Sequence, residues 1–136
     1  MKNISIKGIL LGLVSLIIID ELGGVLLTLV LAGDVTADIR TAIQSDTLFL
    51  ILRMFVGAAA LVAAGFISEK LAKSNGLINS CIIGIVSVII TVLVLGDTYP
   101  LWYLILSYIY QFPSALAGGY IYFKRNKNKD LKKTNH

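Results

Sequence analysis

Apolar residues in this chain come in four long blocks, at positions 9–32, 48–67, 77–95 and 101–123, separated by short polar segments. Each block supplies close to the ~20 helical residues needed to cross ~30 Å of hydrocarbon. The pattern predicts an all-α integral membrane protein with four transmembrane helices, at about 4–32, 47–67, 76–96 and 100–123. One membrane domain then fills 1–123, and a basic tail follows at 124–136.

The polar segments carry stop and start signals. Ser45 and Asp46 are placed to cap the second helix. Asp97 or Thr98 can cap the fourth, with Pro100 in its first turn. Lys73, Ser74, Asn75 and Gly76 read as a tight turn. In the loop 33–46, Val35, Ile39, Ala42 and Ile43 recur at helical spacing, which predicts a short amphipathic helix on the outer surface.

A second pattern overlies the first. The run GLVSLIII from Gly12 reads against GIVSVIIT from Gly84, offset by 72 positions. The run AAGFIS from Ala63 reads against AGGYIY from Ala117, offset by 54. The chain is thus expected to be two tandem, parallel helical hairpins, the first with an insertion in its outer loop. Matched small residues (Gly8, Gly12 and Ser15 against Ser80, Gly84 and Ser87) fall on one helix face, where backbones can approach closely. Gly57, Ala60 and Ala64 offer such a face on the second helix. Ser114 with Gly118, and Ala115 with Gly119, do so on the fourth. Helix packing explains these faces, and a dimer contact is the alternative.

Charge adds direction. Ten of the twelve basic residues flank one side of the predicted bundle: Lys2 and Lys7, Lys70 and Lys73, and the six in the tail. Arg40, Asp34, Asp38, Asp46 and Asp97 lie on the other. The positive-inside rule places both termini in the cytoplasm of a cell whose inner membrane holds the chain. Lys124, Arg125 and Lys127 then meet anionic lipid head groups. The net charge of +4 needs no nucleic acid partner. The first block is too long for a signal-peptide core and is broken by acids, so an uncleaved first span is expected.

Composition narrows the chemistry. The chain is 57% hydrophobic with mean hydropathy +0.84. Its one cysteine, Cys81, and its one histidine, His136, make no metal-ligand spacing. Nucleotide-binding and nucleophile-elbow motifs are absent. No cofactor, no metal and no enzymatic activity are expected.

The chemistry that remains sits inside the blocks. Asp20 and Glu21 interrupt the first, and Arg53 interrupts the second. Ionisable groups in hydrocarbon are costly unless paired or wetted, so they mark a pair or a site. In the repeat register the first helix has a matched core of 4–24, which puts both acids about one turn from its outer end. A helix continuous to Ala32 puts Asp20 ~18 Å from that end. Gly23-Gly24 is the place for a break between the two. Arg53 reaches the level of the acids and can pair with one of them; the equivalent positions in the other half are Val92, Leu93 and Ser107, all uncharged. The second acid is left over and can take a proton or a cation. Tyr108, Tyr110 and Gln111, deep in the fourth helix, are the residues expected to line a hydrated cleft with it, or else to bond to neighbouring helices. Tyr99, Trp102, Tyr103, Tyr120 and Tyr122 read as aromatic belts. Asn79 is expected to be solvated or to cap a helix.

Two functions fit. The first is a small transporter or channel-like subunit, with a proton- or cation-binding carboxylate and a second copy completing the route. The second is an accessory subunit in which the ion pair is structural.

Overall fold

The computed structural model describes residues 4–33, 46–73, 77–95 and 99–134. Among these the chain forms four helices: α1 (Ile6–Ala32), α2 (Thr47–Ala72), α3 (Ile78–Leu95) and α4 (Leu101–Thr134). The amphipathic segment predicted within 33–46, the caps Asp97 and Thr98, and most of the turn at 73–76 lie outside the described residues.

Local chemistry sets the helix ends. Ser5 caps α1, its hydroxyl accepting the Gly8 N–H at 3.1 Å. Asp46 caps α2 by accepting from the Phe49 N–H at 2.8 Å. Gly33 closes α1 in the left-handed region, at φ 73°, where a residue without a Cβ is at ease. Pro100 stands just before α4 and its carbonyl takes the N–H groups of Tyr103 and Leu104.

One alternative about the helices is decided, and two helices run longer than the apolar blocks. α1 does not break at Gly23-Gly24 but runs whole to Ala32, so Asp20 and Glu21 are not in a last turn. The glycines cost helix propensity, yet they lie flush against Val56 and the Arg53 guanidinium, where a Cβ would collide. α2 passes the expected end at 67 and continues to Ala72, because Ser68 and Glu69 fold into the bundle instead of marking its rim. α4 passes 123 and continues to Thr134: its Lys and Arg residues are good helix formers, and no proline or glycine stops them.

The helices run up and down in turn. α2 is the central element and packs most broadly on α1 and α4, while α3 rests mainly on α4. The two halves pack differently, since α3 meets α2 but α1 barely touches α4. At the crossing of α2 and α4, Gly65 fits over the Ala115 carbonyl and Gly118 over the Val62 carbonyl; any Cβ there would strike backbone. Gly8 and Gly12 likewise seat α1 against the backbone of α2 near Ser68 and Ala64. The predicted small faces are therefore packing faces.

Polarity is arranged inside out. The buried apolar core is two thin layers, Leu61, Ala64, Ile83 and Ala115 in one, Phe49, Leu50 and Tyr103 in the other. Large apolar side chains such as Leu22, Leu26, Val30, Phe55, Leu93 and Ile109 cover the exterior. The interior holds Thr28, Ser68, Glu69, Asn79, Ser80, Ser87, Thr91, Ser107 and Gln111. Two helices, α1 and α2, are long and apolar enough to cross a membrane. Lys7 lies in the first turn of α1, Lys70 in the last turn of α2 with Lys73 as its cap, and Lys124 and Arg125 follow Gly119 along α4; with Gly8, Ser68 and Ser80 meeting there, that end of the bundle is the basic one.

Candidate functional site

Away from the basic end, the four helices enclose a cleft of about 260 Å³. Its charged wall comes from α1 and α2. Arg53 Nη2 donates to Asp20 Oδ2 at 2.7 Å, and Nη1 donates to the Asp20 backbone carbonyl at 2.9 Å. The guanidinium thus grips one residue at two points, a geometry lysine cannot copy. The pair is only partly covered, with side-chain exposures of 17% for Arg53 and 31% for Asp20. Glycines make room for it. A Cβ at Gly24 would overlap Arg53, and one at Gly57 would crowd the Tyr110 hydroxyl at 2.7 Å while only touching Asp20 Oδ1 at 3.6 Å.

Of the two acids, then, Asp20 is the one that pairs with Arg53. Adjacent positions on a helix diverge by ~100°, so Glu21 points elsewhere. It is exposed, lines the cleft, and has no hydrogen bond or ion pair among the described residues.

The far wall comes from α3 and α4. Tyr103, Ser107, Tyr110 and Gln111 recur at helical spacing and all line the cleft. Tyr108 does not: two residues from Tyr110, it is turned by ~200° to another face, so the expectation that it would join the cleft is corrected. Gln111 is 5% exposed. Its Nε2 donates to Thr91 Oγ1 at 2.8 Å, and Thr91 Oγ1 donates onward to the Ser87 carbonyl at 2.9 Å. That hydroxyl proton is committed, so the Gln111 atom facing it must be the amide nitrogen. Gln111 Oε1 is left buried without a partner. An orphan acceptor of this kind costs about 1–3 kcal/mol unless something donates to it.

A second polar cluster at the basic end went unread in the sequence. Glu69, 0% exposed, receives the Ser80 N–H at 3.0 Å and the Asn79 Nδ2 at 3.3 Å. Ser80 Oγ lies 3.2 Å from both Glu69 Oε1 and the Gly65 carbonyl, and its one proton serves either. Asn79 Oδ1 in turn accepts the Ser5 N–H at 2.9 Å. Asn79 is therefore buried and bridging, not solvated. Its signal was a Glu and an Asn-Ser pair flanking one short turn. Among the described residues no group of three or more His, Cys, Asp or Glu side chains gathers as metal ligands do.

No family model, curated protein or solved structure matches this chain. What the fold and the cleft define is an all-helical bundle with two helices able to cross a membrane and a polar interior.

Proposed function

We propose that this chain is a small multi-pass protein of the cell inner membrane, acting as a transporter or channel-like subunit that takes up a proton or a cation at Glu21. The observation that carries the reading is an unpaired carboxylate on a cleft whose opposite wall holds a buried, partnerless Gln111 oxygen. Asp20 and Arg53 stiffen the wall beside it, with Arg53 as the internal counter-ion.

Membrane embedding rests on the inside-out polarity. An exterior of leucine, isoleucine and phenylalanine would aggregate in water and is at home in lipid. All four helices then span, α3 and α4 included. With the basic end in the cytoplasm, both termini are inside and the cleft opens toward the other side. Lys124, Arg125 and Lys127, on the projecting part of α4, meet anionic head groups. A homo-oligomer would complete a route that four helices alone enclose poorly.

One observation favours a second reading. The Asp20–Arg53 contact is complete on both of its hydrogen bonds and is fitted by two glycines, as a structural pair would be. In that case the chain is an accessory subunit.

Flux in proteoliposomes separates the two. Proton and monovalent-cation flux is measured for wild type, Asp20→Asn and Glu21→Gln, with helicity checked by circular dichroism. Transport at Glu21 predicts loss of flux in Glu21→Gln to the level of empty liposomes. Equal flux in all three proteins rejects the carboxylate mechanism, and no flux in any of them favours the accessory reading.

A further inference from the structure

The cleft's lining carries more information than its charge. Two carboxylates and one guanidinium line the cleft, and Asp20 takes the guanidinium, which leaves Glu21 without a counter-ion among the lining residues. Around it stand the rings of Tyr99, Tyr103 and Tyr110 and the aliphatic side chains of Leu16 and Leu61. A bare inorganic cation asks for something else. Hard cations need six or more oxygen ligands in a close shell, and the described residues hold no group of three or more His, Cys, Asp or Glu side chains to begin one. The cleft, at about 260 Å³, is roomy for a single ion and slightly below the ~300–1,000 Å³ of sites for drug-sized molecules. A small organic cation suits all three facts. Its charge meets Glu21, its alkyl groups meet apolar walls, and aromatic rings attract it through their quadrupoles.

The orphaned Gln111 Oε1 narrows the class again. It is an acceptor, as the Thr91 hydroxyl chain requires, so a ligand that reaches it must bring a donor, and an ion whose only polar group is an alkylammonium brings that donor as N–H. We infer that the cleft binds a small alkylammonium ion carrying at least one N–H, held by Glu21, the tyrosine rings and Gln111 Oε1. The inference rests on Glu21 being a cation site, as proposed above, but not on transport.

Binding is measured by equilibrium dialysis of radiolabelled triethylammonium against purified protein in detergent. Competitors are unlabelled tetraethylammonium, which has no N–H, and sodium and potassium chloride. Variants are Glu21→Gln, Tyr110→Leu, Tyr110→Phe and Gln111→Met, each checked for helicity and monodispersity. Wild type should retain the label, and sodium or potassium in hundredfold excess should not displace it. Glu21→Gln should weaken retention by roughly tenfold or more, equivalent to about 1.4 kcal/mol. Tyr110→Leu should weaken it, while Tyr110→Phe, which keeps the ring, should not. Wild type should prefer triethylammonium to tetraethylammonium, and Gln111→Met should erase that preference. Displacement by sodium or potassium at equal concentration overturns the inference, as does equal retention by Glu21→Gln or by the two Tyr110 variants. Label binding without flux in proteoliposomes keeps the inference and rejects transport. Glu21-dependent proton flux without label binding does the reverse.

Discussion

Asp20 and Glu69 are both carboxyl groups inside a bundle with an apolar exterior, yet they are held in opposite ways. Asp20 meets a full positive charge, remains partly exposed, and borders an open cleft. Glu69 meets no cation among the described residues. It is wholly buried and is satisfied by neutral donors: an amide, a hydroxyl and the N–H of the third residue of α3. That N–H is one of the first-turn donors a helix cannot satisfy itself, and it lies at the positive end of the helix dipole. The difference is instructive. An ion pair compensates a charge while leaving room around it. Ordered dipoles compensate it only by closing in from every side, which seals that end of the bundle.

Four substitutions test this contrast, in falling order of effect. Glu69→Leu strands the Ser80 N–H and the Asn79 amide in the interior, each worth about 1–3 kcal/mol. Unfolding in mixed micelles should show a loss of about 3 kcal/mol, and a loss below about 1 kcal/mol would mean that the cluster does not tie the helices. Arg53→Leu should cost less, about 2 kcal/mol, since partial exposure lets water reach the stranded carboxylate. Adding Asp20→Leu to it should recover most of that loss, because no unpaired charge remains. If the double variant is as unstable as the sum of the singles, the pair is not a coupled unit. Glu21→Gln should leave stability within about 0.5 kcal/mol of wild type even as it abolishes flux. A large loss of stability there would place Glu21 among the structural acids, beside Asp20.

How much of this was legible depends on where a charge sits in the apolar pattern. Asp20, Glu21 and Arg53 interrupt long apolar runs, so their cost is visible in the sequence, and the repeat register put Arg53 level with the acids. Glu69 adjoins Lys70 at the end of such a run. A charge there reads as solvated, and only the fold reveals that Ser68 and Glu69 turn inward while Lys70 beside them is exposed. For the same reason, polarity located the ends of the apolar blocks but not the ends of α2 and α4. Gly23-Gly24 left two alternatives open for a different reason. Propensity counts what a glycine lacks, whereas here the lack is filled by Val56 and Arg53 from the neighbouring helix. Tyr108 and Tyr110 were grouped by nearness in sequence, and the helical period separates them.

The cluster around Glu69 has a mechanical side. It joins the last turns of α2 to the first turn of α3 and, through Asn79, to the residue that caps α1, while Gly119 of α4 lies against it. Four rods pinned together at one end share a fulcrum there. A given rotation of any helix about it displaces the cleft end of that helix further than the pinned end, so the contacts at the cleft act with the longer lever.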